Sequence, residues 1–456
     1  MTKPHRNKLT KNLTCLAGAA LTVMATQAPA EITGDSLINK LEQKGVLSAD
    51  EAKELRLENQ EDYNHSLTNS LGKSFAKFTD MPNWVNSYKI GGDFRGRVDQ
   101  ISVTDNDNAV NRLRFRYRLR FGIVANILDN IEVGFRLGSG DSGGNALSNN
   151  TTLENNATKK PIWIDEAYGK WTAINDGDWL LAATLGKMSN PFNFTPMVFD
   201  PDLTPEGAAV NGGYTINDQQ SLSFAGAGFV LDEESGSTRD PFLYGGQVAL
   251  NSKWNSKLSS SVGVGAFQFV NPSQLTTGNV PYNNRGNSRS VGGALLYNYN
   301  PIIADASVTY MFDGAPLYAG KFPVKVAGEY INNPGAGQNN NGYWAGVTFG
   351  KSGKKHTWDL SYRYEYLQAD AWYDQLADDD NAAYYQNAPN GGGAPGVYGG
   401  TNLKGHLVKL NYSITDYLTF TLTGYLTDVI NNKAYNNVSE PNSDTFHFMA
   451  DLVWKF

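Results

Sequence analysis

The chain is nearly without cysteine, poor in histidine, and lacks any long apolar run after its first thirty residues. Each shortage removes a class of function. The one cysteine of the 456 residues, Cys15, sits inside the N-terminal apolar stretch. A chain cleaved after residue 30 therefore has no disulfide, no thiolate metal site and no cysteine nucleophile. Asn12-Leu13-Thr14 just before it lacks the small and apolar residues of a lipoprotein signal. Past residue 30 no stretch approaches eighteen consecutive apolar residues, which excludes helical membrane spans. His65, His356, His406 and His447 are scattered, and none has metal-ligand spacing. No cofactor is expected.

What is present begins with an export signal. Lys3, Arg6, Lys8 and Lys11 form a positive n-region, Leu13 to Ala25 an apolar h-region, and Ala28-Pro29-Ala30 a cleavage site. The mature chain is expected to begin at Glu31. Losing the signal takes Lys+Arg from 38 to 34 against 45 Asp+Glu, so net charge moves from -7 to -11. An acidic mature chain argues against a nucleic-acid partner.

Residues 31–86 read as a periplasmic helical segment and linker. Leu37, Ile38, Leu41 and Val46 fit a short amphipathic helix, and Ser48-Ala49-Asp50-Glu51 matches a capping box opening a second. The segment is too small to fold alone.

From 87 to 456 the apolar period becomes two. Tyr88, Ile90, Phe94 and Val98 alternate with Lys89, Asp93, Arg95, Arg97 and Asp99. Leu113, Phe115, Tyr117, Leu119, Phe121 and Ile123 alternate with Arg112, Arg114, Arg116, Arg118 and Arg120. Only a strand puts those two sets on opposite faces. The dyad recurs to the end, where Phe446, Phe448, Leu452, Trp454 and Phe456 alternate with His447, Asp451 and Lys455. Each segment is about ten residues, enough for a strand tilted by about 45° to cross the hydrocarbon layer.

Short turns such as 126–130, 175–178 and 254–256 alternate with long polar loops at 139–160, 189–217, 271–288 and 370–401. Sixteen antiparallel strands in an up-and-down transmembrane β-barrel are expected, with eighteen as the alternative. Sixteen places 271–288 on the short-turn side, and further strands at 206–216 and inside 370–401 would correct this. A soluble sandwich also alternates. The membrane is favoured by aromatic residues near strand ends, namely Tyr88, Trp163, Trp171, Tyr299, Trp358 and Trp454. Charge along the opposite faces demands a wet lumen, and open sheet edges cannot face lipid.

Several short motifs occur in a specific order. They are Gly45-Val46-Leu47-Ser48-Ala49-Asp50-Glu51-Ala52, Gly138-Ser139-Gly140-Asp141, Ile164-Asp165-Glu166-Ala167-Tyr168, Leu185-Gly186-Lys187-Met188 with Asn190-Pro191-Phe192, and 199–207 with the terminal Phe456. Across essentially the whole mature chain these resemble the bacterial putative porin family and, more distantly, the phosphate-selective porins O and P. The resemblance implies an outer-membrane porin fold, Phe456 as part of the signal read by the barrel-assembly machinery, and a homotrimer in outer-membrane lipid. It does not imply a solute. Few lysines group at any loop, so phosphate selectivity is not carried over.

The arginine ladder carries the expected function. Side chains about 6.5–7 Å apart on one strand face repel each other, and each would cost about 2–4 kcal/mol facing lipid near the midplane. They must line water, with Arg95, Arg97 and Arg136 extending the patch. Loop 189–217, with Asp200, Asp202 and Glu206, is the expected opposing wall of a constriction passing small hydrophilic solutes and ions. The other reading pairs the ladder with Asp93, Asp99, Glu132 and Asp165 on neighbouring strands as wall structure.

Catalysis is not expected. Gly140-Asp141-Ser142-Gly143-Gly144 spells a serine-protease string, but no histidine has a matching context, and a strand-end turn explains the glycines. Asp105-Asn106-Asp107-Asn108 starts like a calcium loop but lacks the glycine and distal glutamate, and Asp378-Asp379-Asp380 could hold a divalent cation weakly; solvated loop acids are the simpler reading of both. A second non-enzymatic reading makes the barrel a tether that attaches the envelope through the N-terminal helices.

Overall fold

Wherever the sequence alternates at a period of two, the backbone is extended and paired on both sides. A computed structural model describes residues 84–104, 111–385, 397–430 and 444–456. Its strands are β1 Val85–Thr104, β2 Asn111–Ile127, β3 Ile131–Ser139, β4 Thr151–Thr152, β5 Ile162–Asn175, β6 Trp179–Lys187, β7 Glu206–Asn217, β8 Gln220–Val230, β9 Phe242–Lys253 and β10 Leu258–Val270. They continue as β11 Ile302–Phe312, β12 Phe322–Asn332, β13 Asn341–Gly350, β14 Trp358–Leu367, β15 Ala383–Tyr385, β16 Val397–Gly399, β17 Leu403–Ser413, β18 Leu418–Val429 and β19 Asp444–Lys455. Setting aside the short β4, β15 and β16, sixteen antiparallel strands form a closed barrel. β1 joins both its successor and the last strand, from Asp93↔Lys455 to Thr104↔Asp444. Phe456 finishes the seam, exchanging backbone hydrogen bonds with Gly92 at 2.9 and 3.1 Å. Among the described residues no barrel edge is left for lipid to face.

Sixteen strands therefore hold, and the imbalance disappears for two reasons. Residues 206–216 belong to β7, which pairs with β6 and β8, so the expected inward loop 189–217 stops at Pro205. The stretch 271–288 runs on to Pro301 and returns on the long-loop side, with only an isolated bridge between Arg289 and Leu295. The extra strand sought inside 370–401 is the small separate β15–β16 hairpin. The export signal, the helices of 31–80 and the Asp105–Asn108 run lie outside the described residues.

The two faces separate as side-chain alternation requires. On β2, Leu113 and Phe115 are 52% and 53% exposed on the outside, whereas Arg116 and Arg118 are 8% and 9% exposed within. Tyr88, Trp163, Trp171 and Trp454 are exposed, as an interfacial girdle needs. Tyr299 is a correction. It is fully buried and donates its hydroxyl to Asp370 at 2.9 Å, because it belongs to a loop inside the barrel rather than to a strand end.

The lumen is not wet throughout. The inward faces of β8 to β14 carry Phe229, Leu243, Phe267, Phe269, Ile303, Ile331 and Leu367, all buried in one apolar cluster. Three loops descend onto them: 188–205 brings Phe192 and Phe199, 271–301 brings Leu275 and Tyr299, and 368–402 brings Trp372 and Tyr373. Trp372 meets Phe199, Phe267 and Phe269 edge-on at 5.2, 5.3 and 5.7 Å between centroids. Such edge-to-face contacts stabilise beyond their area burial, each by about 0.5–1.5 kcal/mol. Gly245 makes room for the Phe267 ring, since a Cβ there would lie 2.2 Å from it. One side of the barrel is thus filled with packed aromatics. The polar space lies against the other side, where the arginines are.

Candidate functional site

Strand register decides which charges meet. β1 against β2 sets Arg95 opposite Arg118 and Arg97 opposite Arg116, an arrangement that is destabilising for like charges by itself. Acids on β1 bracket these pairs, and each reaches both the arginine directly opposite it and the one diagonal to it. Asp93 lies 2.8 Å from Arg118 and 2.7 Å from Arg120, and Asp99 lies 2.9 Å from Arg114 and 3.3 Å from Arg116. From β19, Asp451 accepts two hydrogen bonds from Arg97 at 2.7 and 3.0 Å. On the flanking strands Arg136 pairs with Asp165 and, at 2.9 Å, with Glu166. Arg95 donates to the Asn150 side chain at 2.7 Å, and Arg112 is exposed at the long-loop end of β2.

The wall reading is thus realised at Asp93, Asp99 and Asp165. Glu132 departs from it, accepting instead the hydroxyl of Tyr168 at 2.8 Å.

Two loops then bring acids to the arginines. Asp202 of loop 188–205 lies 3.0 Å from Arg118 and 3.6 Å from Arg120. Asp380 of loop 368–402 lies 3.1 Å from Arg97. His447 on β19 helps hold that second loop: its Nδ1 donates to the Asp380 carbonyl at 2.8 Å, and its Nε2 lies 3.3 Å from Asp99. A carbonyl only accepts, so the Nδ1 proton is fixed by this contact.

The other two loop acids expected at this site behave differently. Asp200 is buried but makes no ion pair with the ladder among the described residues; its carboxylate sits with those of Asp378 and Asp379, all within 4.8 Å. Burial, followed by the neighbouring carboxylates, holds Asp200 well above the usual carboxylate range. Asp379 is raised for the same reasons. Asp380 is desolvated too, yet Arg97 and His447 beside it bring it below the usual range. These three oxygen-donor groups are those that could share a cation.

Glu206 is a correction. It is exposed at the first position of β7, where side-chain parity turns it outward to Lys187, 3.0 Å away. Asp378-Asp379-Asp380 is the reverse case. Sequence reading took it as solvated, whereas Asp378 is 6% exposed inside the barrel and lies 3.8 Å from Arg363. Gly140–Gly144 form the turn after β3, closed by the Gly144 amide donating to the Asp141 carbonyl at 3.1 Å.

Charges of both signs line the water-accessible space. A cavity of about 420 Å³ is bounded by Arg95, Arg97 and Arg118 on the wall and by Asp200, Asp202 and Asp378–Asp380 on the loops. A second, of about 440 Å³ toward the long-loop end, is bounded by Arg112, Arg114, Arg116, Tyr282 and Arg285. Asp379 and Asp380 border both. Cations and anions fixed in one lining create a local field across the cavities.

Comparison with solved structures gives remote likenesses. The chain is similar to Pseudomonas putida OprB in its high-pH structure, at 12% identity over 81% of this chain and 94% of that one, with a TM-score of 0.49. It is similar to the outer membrane channel DcaP of Acinetobacter baumannii, at 12% identity over 81% and 97%, with a TM-score of 0.41. A double mutant of Rh. blastica porin gives 10% identity over 81% and 100%, with a TM-score of 0.40. Among curated proteins no relative matches. Over residues 104–285, which hold the arginine strand and the first inward loop, the chain matches the putative porin family, as its motifs led us to expect.

Proposed function

We propose that this chain is an outer-membrane porin through which small hydrophilic solutes and ions diffuse passively, past a constriction of wall arginines and loop aspartates. One observation carries the reading. Two inward loops, distant in sequence, each place an aspartate on the arginine wall, Asp202 on Arg118 and Asp380 on Arg97. The strand acids Asp93, Asp99 and Asp451 already pair with Arg97, Arg114, Arg116, Arg118 and Arg120, so the wall's own pairing does not call for the loop aspartates. Charged side chains facing each other across a lumen are a known way to set selectivity. The closed barrel, its apolar outer face and the porin match support an outer-membrane channel rather than an enzyme.

Phe456, 60% exposed at the end of the closing strand, stands where the assembly signal of the resemblance is expected, and a homotrimer remains part of the same reading. Planar-bilayer recording tests the constriction. Arg116→Ala and Arg118→Ala are expected to change unit conductance and ion selectivity. Unchanged values in both would reject the constriction, and the absence of any conductance in the parent protein would reject the channel.

A further inference from the structure

Most charges lining the 420 Å³ cavity are already satisfied. Arg97 pairs with Asp380 and Asp451, Arg118 with Asp202, and Arg363 with Asp378. Five charges of the lining form no ion pair within 4.0 Å among the described residues, and they are of both signs: Arg95, Lys325 and Lys409 on the strands, Asp200 and Asp379 on the loops. Arg95 also has a buried Nε without a hydrogen-bond partner. Lys325 is exposed, whereas Arg95, Lys409, Asp200 and Asp379 are partly or fully withdrawn from water; desolvated charges without counter-charges are costly, and the cost is relieved by a ligand that brings them.

We infer that this cavity is a subsite for small zwitterions of the α-amino acid class, with the carboxylate held by Arg95 and Lys409 and the ammonium by Asp200 and Asp379. The inference rests on the channel reading and adds the solute class. Other classes satisfy only part of the set. Against the four withdrawn groups, an anion would meet the guanidinium and ammonium groups but face two carboxylates, a cation would do the converse, and an uncharged polyol would leave all four unpaired. Discrimination of this kind comes as much from charges left unmatched as from those matched. The volume suits a small solute, being near the lower end of ligand pockets, about 300–1,000 Å³. Burial raises Asp200 and Asp379, so an arriving ammonium competes with a proton there.

Swelling of liposomes containing the full chain tests this with four probes of nearly equal size: L-alanine, uncharged lactamide, cationic alaninamide and anionic lactate. L-alanine is expected to enter several-fold faster than the other three. Arg95→Gln and Asp379→Asn are each expected to bring the alanine-to-lactamide ratio down toward one. Lactamide entry in the same preparation reports that the variant barrel has assembled, and Lys409→Gln replaces Arg95→Gln should the latter not assemble. Equal entry of alanine and lactamide, equal entry of alanine and lactate, or an intact ratio in the variants would overturn the amino-acid subsite while leaving the channel standing. Swelling with no probe at all would instead remove the channel reading beneath it.

Discussion

Asp99 shows how much a single carboxylate can organise. It lies against Arg114, Arg116 and His447, and without it two arginines of one strand face would repel each other unopposed. Removing one partner of a buried ion pair costs about 3–5 kcal/mol. Asp99→Asn is therefore expected to lose stability on that scale in urea unfolding from detergent or lipid; a midpoint equal to the parent's would contradict the pairing. Acids on the loops give a pH effect with a definite sign. Asp200 and Asp379 are raised by burial and by the carboxylates around them, chiefly Asp378, Asp380 and Asp202, while Arg285 and Arg116 oppose the shift on Asp379. As the pH falls from about 8, Asp379, pushed up to about 8, takes up its proton, and the raised Asp200 likewise protonates before ordinary surface carboxylates. The arginines keep their charge throughout, so selectivity is expected to move toward anions, read as a shift in reversal potential. A shift toward cations over that range would be the wrong sign. Residues of this site were unevenly legible. Five arginines alternating with Leu and Phe leave no choice of face, and Asp202 follows once its loop is known to turn inward. Glu206 was misplaced because residues 206–217 of the expected loop form β7, and at the first position of that strand side-chain parity turns it outward.

At the scale of elements, the strands were legible and the inward loops were not, for one physical reason. A strand between oil and water must alternate, and that alternation is written into every turn of the sequence. Loop residues such as Phe192, Phe199, Leu275 and Trp372 are buried by tertiary packing and follow no period. The Gly- and Asn-rich loops around them therefore read as solvent-facing, and with them the Asp378–Asp380 run. Trp372 links two loops to the β10 wall through its ring contacts. Trp372→Ala is expected to cost about 3–5 kcal/mol and to loosen both loops, raising open-channel conductance and its noise in single-channel traces. Quiet traces of parental conductance would show that the aromatic cluster does not hold the constriction.

For the whole molecule, the asymmetry of the lumen is the main consequence of the fold. Aromatic packing fills part of the lumen at β8 to β14, and the polar cavity is bounded by β1, β2 and β12 to β14 together with β17 to β19. The arginine wall and the closing seam share β1. Deleting Phe456 removes two seam hydrogen bonds with Gly92 and the terminal aromatic ring, and is expected to lower the yield of folded barrel in outer membranes. Full yield of the truncated chain would detach assembly from this residue. The central claim is that solutes pass through the cavities lined by the arginine wall and the loop aspartates. It is tested most directly by the reversal potential of single channels in a KCl gradient, comparing the parent with an Asp202→Asn, Asp380→Asn double variant. Passage through these cavities predicts that neutralising the two aspartates moves the reversal potential toward that of chloride; a reversal potential identical to the parent's, with conductance intact, would place the ion path elsewhere.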